Sequence, residues 1–136
     1  MERRIIKSDE EWRRQLSRES YEILRQAGTE LPFSGQYVDT DDEGVYRCAG
    51  CGAELFRSQA KFHSSSGWPS FTQPMLADAV ELREDKSHFM LRTEVLCRGC
   101  GGHLGHVFDD GPAPTGQRWC INSAALRFAP EEPPKG

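Results

Sequence analysis

The chain has 136 residues, 37% of them apolar, and a formal charge of −4 from 17 basic and 21 acidic side chains. That length suits a single domain with a real core, and the composition argues against a membrane protein or a wholly disordered one. With net negative charge the general attraction that drives binding to phosphate backbones is missing, so neither nucleic acid nor a membrane is expected as partner.

Residues 1–9 carry charges where a secretory signal needs an apolar run, so a cytoplasmic location is expected. Residues 8–27 read as helix. Ser8 is a candidate N-cap with Glu11 as its capping-box partner, Trp12 and Leu16 sit one turn apart, and Tyr21, Leu24 and Ala27 form a second apolar set. Gly28 ends the pattern, and Ser17 is a second candidate N-cap that divides it into two short helices. From Leu31 to Asp42 a Pro-Phe-Ser-Gly stretch and an acidic cluster signal loop and turn, consistent with a linker to the main body.

Beyond Gly44 the character changes to short aromatic and β-branched segments separated by Gly and Pro. Val45-Tyr46, Glu54-Leu55-Phe56, His88 to Leu91, Thr93 to Leu96 and Arg118 to Phe128 read as strands. Nothing alternates strand with helix, so the fold class is mainly β. Residues 129–136 are too proline-rich and charged to pack and read as a flexible tail.

There are two Cys-x-x-Cys-Gly units, Cys48 to Gly52 and Cys97 to Gly101, with 45 residues between Cys51 and Cys97. Five cysteines are about 4% of the chain, well under the roughly 8–10% of disulfide scaffolds, and a reducing cytosol favours metal or thiol chemistry. Two residues between cysteines place both thiolates on one edge of a tetrahedron, and two such knuckles close a shell with no open position. Cys48, Cys51, Cys97 and Cys100 are therefore the expected ligands of one structural zinc ion. Redox dithiols, or His103 or His106 replacing one sulfur, are the weaker alternatives.

Cys120 is left without a partner. In a strand, Arg118, Cys120 and Asn122 share one face, opposite Trp119, Ile121 and Ser123. A cation two residues from a thiol favours the thiolate, so a reactive cysteine is expected. His103 and His106 are three apart and would face opposite ways in a regular strand, but interleaved glycines permit a bend that turns both inward as proton donors. His63 and His88 read as surface or satisfied core residues. Gly67-Trp68-Pro69-Ser70-Phe71 is an aromatic turn, either core packing or one wall of an apolar pocket.

Taken together, Gly67 to Phe71, Gly102 to Phe108 and Arg118 to Phe128, bracketed by the two knuckles in this order, closely resemble the B-type peptide methionine sulfoxide reductases. The likeness runs from about Ser17 through Phe128 and includes Gly28-Thr29-Glu30 and Pro32 to Gly35. It implies two antiparallel β-sheets with short N-terminal helices around a structural zinc, in one domain spanning residues 1–136. It further implies reduction of the R epimer of methionine sulfoxide in oxidised proteins, a repair reaction of oxidative stress. Cys120 would be the nucleophile that becomes a sulfenic acid. His103, His106 and Asn122 would bind and protonate the oxygen, Arg118 would favour the thiolate, and Trp68 and Phe108 would hold the methyl end. One departure stands out: where a common family pattern has a resolving cysteine, this chain has Ser66. Recycling then falls to an external thiol, thioredoxin being the leading expectation, or to a less usual internal one. The competing readings are a zinc-stabilised binding module without catalysis and a thiol redox sensor.

Overall fold

A computed structural model describes residues 5–86 and 90–130 of the chain. Its N-terminal part is two short helices rather than one. Helix α1 (Asp9–Gln15) starts at a complete capping box, in which the Glu11 amide donates to Ser8 Oγ and the Ser8 amide to Glu11 Oε1, each at 3.2 Å. Leu16 leaves the helical region with ψ 151°, and Ser17 caps helix α2 (Arg18–Gln26) by accepting from the Ser20 amide at 3.1 Å. Ala27 ends α2 in a left-handed conformation, φ 53°, and is exposed, so Ile23 rather than Ala27 joins Tyr21 and Leu24 in the buried stripe.

The body consists of two antiparallel sheets. The smaller has the order β2-β1-β9, from β1 (Gly44–Cys48), β2 (Glu54–Arg57) and β9 (Leu126–Pro130). In the larger, β3 (Lys61–Phe62), β4 (Ser70–Phe71), β5 (Val80–Asp85), β6 (Arg92–Cys97), β7 (His103–Phe108) and β8 (Arg118–Ile121) lie in the order β3-β4-β8-β7-β6-β5. An aromatic seam joins them: Tyr46 meets Phe71 edge-on at 5.2 Å and Phe128 at 5.0 Å, and Phe56 stacks on Phe71 at 4.4 Å between centroids. Burying Trp119 and Ile121 on the core side of β8 leaves Arg118 and Cys120 facing the other way, half-buried.

Several strand expectations are corrected. Arg118–Phe128 is not one strand: a 3-10 turn at Ser123–Ala125 breaks it and carries β9 into the other sheet. Strands β5 and β7 were not expected, because Glu81 to Asp85 is largely charged and β7 carries a glycine and two histidines. Met90 and Leu91 lie outside any strand, and His88 and Phe89 fall outside the described residues. Ala129 and Pro130 are no tail, since they pair with Val45 and Gly44; residues 131–136 are outside the described residues. The 31–42 segment is a loop, but not a free linker: Tyr37 meets Tyr46 edge-on at 5.6 Å, and its hydroxyl accepts from the Phe128 amide at 3.1 Å. Among the described residues no helix is long and apolar enough to cross a membrane.

One contact couples the sheet to the site. Gly105 lies opposite Ile121, and a Cβ placed there would meet the Cys120 carbonyl oxygen at 2.0 Å. Gly105→Ala must therefore push β8 away from β7. It is expected to lower stability by about 1–3 kcal/mol in urea denaturation, the scale of overpacked cores.

Candidate active site

The two knuckles have the same local geometry. After each pair of cysteines the chain turns back on a glycine: the Gly52 amide donates to the Cys48 carbonyl at 2.9 Å with φ 79°, and the Gly101 amide to the Cys97 carbonyl at 2.7 Å with φ 78°. Positive φ at this position is open to glycine at little cost. The Sγ atoms of Cys48, Cys51, Cys97 and Cys100 all lie within 4.8 Å of one another, with contacts of 3.7 Å between Cys48 and Cys100 and 3.6 Å between Cys51 and Cys97. An ion bound tetrahedrally to sulfur at about 2.3 Å requires edges near 3.8 Å, so the donor set fits a closed metal site. Helices α1 and α2 cover it. Trp12 packs next to Gly50, and the Arg25 guanidinium lies 4.8 Å from the Trp12 ring while donating to the Cys100 carbonyl at 2.9 Å.

Cys120 lies on a separate cavity of about 250 Å³ whose walls include Ser66, Trp68, His106, Phe108 and Arg118. Asn122, Thr29 and Arg92 complete its rim. A larger groove of about 670 Å³ between α2 and residues 29–36 contains no cysteine or histidine. Trp68 is aimed by its indole N–H, which donates to the Glu30 carbonyl at 3.0 Å. Arg118 is held by Asp110 through two contacts, 2.9 and 3.2 Å, and lies over the Phe108 ring at 4.4 Å.

The histidines meet through a β-bulge. Val95 pairs with Gly105 but Leu96 with His103, so Leu104 is the extra residue of β7. That one-residue shift brings the His103 and His106 rings to one side, 5.6 Å apart and edge-on. The bulge also anchors Asn122, whose backbone N–H and Nδ2 both donate to the Leu104 carbonyl at 2.9 Å, while its Oδ1 accepts from the Glu30 amide at 3.0 Å. Among the described residues Nδ2 has this one acceptor, although it carries two hydrogens.

Against known proteins, residues 16–130 match the SelR domain. The chain is 59% identical over 128 residues to the peptide methionine sulfoxide reductase MsrB of Bradyrhizobium diazoefficiens, covering 94% of this chain and 92% of that one. Proteins of the same name from Methanosarcina barkeri and Leifsonia xyli are 57% and 58% identical, over 94% and 96% of this chain and 90% and 95% of theirs. The chain belongs to the B-type peptide methionine sulfoxide reductase family.

In this reductase fold, Cys120, His106, Asn122, Arg118, Trp68 and Phe108 all border one cavity. His103 does not line it; the ring is buried behind His106, with only 4% exposed. Asn122 lies just past the end of β8 but is still extended, φ −70° and ψ 132°, and it lines the same cavity as Arg118 and Cys120, as alternation suggests. Arg118 favours the Cys120 thiolate, as expected, but it is not the dominant influence on that group. Burial pushes the Cys120 thiol above its ordinary value, and this outweighs the downward pull of the Ser66 hydroxyl and of Arg118. His106 is pushed below the ordinary imidazole value, chiefly by burial, against the opposing hydrogen bond to Asp85. His63 is exposed and bonded to Asp41 at 2.7 Å, clear of the cavity, whereas His88 lies outside the described residues.

Sequence reasoning assigned no role to Asp85, Glu94, Arg92 or Glu30. Glu94 bonds His103 at 2.6 Å, Asp85 bonds both His106 at 2.8 Å and Arg92 at 3.2 Å, and the Glu30 backbone holds Trp68 and Asn122. An acid in the middle of the Thr93 to Leu96 run, where a strand faces its neighbours, was the one available signal.

Two outcomes follow. The protein should carry one tightly held metal ion per chain by elemental analysis, and Cys51→Ser should lose it together with cooperative unfolding, because a structural zinc site in peptides is worth about 10–16 kcal/mol. Iodoacetamide labelling of metal-loaded protein should modify Cys120 with a midpoint pH above that of a free cysteine. Because Arg118 favours the charged thiolate, Arg118→Leu should move that midpoint higher still.

Proposed function

We propose that this enzyme reduces the R epimer of methionine sulfoxide within oxidised proteins to methionine, with Cys120 as nucleophile. What carries the reading is the placement of Cys120 in a cavity walled by Trp68 and Phe108, with His106 and Asn122 beside it, in a chain of this family. The Trp68 and Phe108 rings offer an apolar wall for the S-methyl group, and sulfur–aromatic contacts favour it by roughly 0.3–1.5 kcal/mol. On the polar side, Asn122 and His106 face the space for the sulfoxide oxygen, with His103 behind His106 as the second member of the proton path.

The Cys120 thiol supplies both the nucleophile and a proton, burial favouring its neutral form. Its sulfur attacks the sulfoxide sulfur while the thiol proton passes to the oxygen through the histidine pair. The adduct so formed has a sulfur–sulfur bond and a hydroxyl on the substrate sulfur; the hydroxyl passes to Cys120 Sγ as the S–O and S–S bonds to the substrate sulfur break, so methionine leaves and Cys120 becomes a sulfenic acid. Arg118, neutralised in part by Asp110, assists by stabilising negative charge on Cys120 as the proton leaves.

Ser66 Oγ is 4.0 Å from Cys120 Sγ, so the side chain beside the nucleophile is one that cannot close a disulfide. An external dithiol such as thioredoxin therefore attacks the sulfenic acid, releases water and forms a mixed disulfide, which its second thiol resolves. Cys48, Cys51, Cys97 and Cys100 hold a structural zinc that supplies rigidity and takes no part in the reaction. A reducing cytoplasm keeps all five thiols available for these uses.

The deciding assay is reduction of separated R and S epimers of a blocked methionine sulfoxide, with dithiothreitol as reductant. Wild type should turn over R alone, and Cys120→Ser should fold, keep its metal and be inactive. Failure of metal-loaded wild type on both epimers would overturn the reductase reading in favour of a binding module.

A further inference from the structure

The two histidines are held by carboxylates at opposite ring nitrogens. His103 Nδ1 is 2.6 Å from Glu94 Oε2, and His106 Nε2 is 2.8 Å from Asp85 Oδ2. Both acids come from strands that do not carry the histidines: Glu94 from β6, and Asp85 from the end of β5, where Arg92 also bonds it at 3.2 Å. The Glu94 pair is sealed, the His103 side chain being 6% and the Glu94 side chain 14% exposed. An ionised carboxylate can only accept, so the ring nitrogen facing it must carry the hydrogen. The remaining nitrogen of His103, Nε2, is buried and has no hydrogen-bond partner among the described residues. Leaving a buried polar atom without a partner is costly, and such a cost persists where the atom has a role beyond packing.

We propose that Glu94 is a positioning residue for the reduction: its carboxylate fixes His103 as the Nδ1–H form and leaves Nε2 as the atom that handles the proton. Asp85 imposes the opposite form on His106, with Nε2 protonated and Nδ1 open. The histidine pair thus presents two different ring nitrogens, each set by the acid bonded to the other nitrogen of its ring. The bulge at Leu104 is what makes this arrangement available, because without the extra residue His103 would face away from His106. This inference rests on the histidine pair carrying the proton in the reaction proposed above.

The test reads tautomer and turnover separately. Long-range proton–nitrogen correlation spectra of metal-loaded wild type, recorded above about pH 8 where imidazoles are neutral, should show His103 protonated on Nδ1 and His106 on Nε2. Glu94→Gln keeps the shape but offers the ring a donor as readily as an acceptor, and should move His103 toward the Nε2–H form. Its kcat for the R epimer with dithiothreitol should fall on the order of 10–100-fold with KM little changed, the scale seen when a carboxylate orienting a histidine is lost. Glu94→Asp, which restores a carboxylate, should recover the Nδ1–H form and part of the loss. Wild-type His103 protonated on Nε2 would overturn the inference, as would a Glu94→Gln protein in which either the tautomer or kcat stays that of wild type. Should Glu94→Gln fail to fold, the wild-type spectrum and the Glu94→Asp pair of readouts decide the matter alone. Absence of turnover by wild type would count against the proposed reduction instead, while its spectrum would still settle the tautomer.

Discussion

Four sulfurs tie the two sheets together. Cys48 is the last residue of β1 in the small sheet and Cys97 the last of β6 in the large one, so a metal held by both knuckles fixes where one sheet ends against the other. A 136-residue chain has a limited core, and here that core is an aromatic seam built on Tyr46, Phe56 and Phe71, with Phe128 packed against it. Cys48, Cys97 and Cys100 are buried in the same core, and α1 and α2 cover them through Trp12 and Arg25. β7 and β8 pair at the centre of the large sheet, with His106 opposite Cys120.

The reactive region is a consequence of that register. The backbones of β7 and β8 approach so closely that only glycine fits at position 105, which places Cys120 directly opposite His106. The turn after β8 then delivers Asn122 to the bulged carbonyl of Leu104, and the loop at Glu30 reaches across to hold both Asn122 and Trp68. A segment without helix or strand thereby fixes two walls of the cavity. Burial has an electrostatic consequence as well: it pushes the Cys120 thiol up against the opposing pull of Ser66 and Arg118.

Much of this was legible in the sequence because it depends on local chemistry. Paired cysteines followed by glycine specify a knuckle whatever surrounds it, and the caps at Ser8 and Ser17 divide the helices by hydrogen bonds that span three residues. Period-two alternation through Trp119 and Ile121 identified the buried face of β8 and left Cys120 opposite. Strands β5 and β7 escaped notice for a related reason. β5 exposes three of its six residues, and β7 owes its place to pairing on both sides rather than to its own composition.

What the sequence determined by itself, then, was the ligand set, the unpaired thiol and the predominance of strand, since each follows from residue type and spacing along the chain. Tertiary structure alone decided how these parts act on one another. Whether His103 and His106 share a side depends on one bulge residue opposite β6, and which acids face them depends on the register of β5, β6 and β7. The balance of desolvation against Arg118 at Cys120 likewise depends on what is packed around the sulfur in space. Electrostatics and side-chain facing are set by distance through the fold, and separation along the chain does not encode that distance.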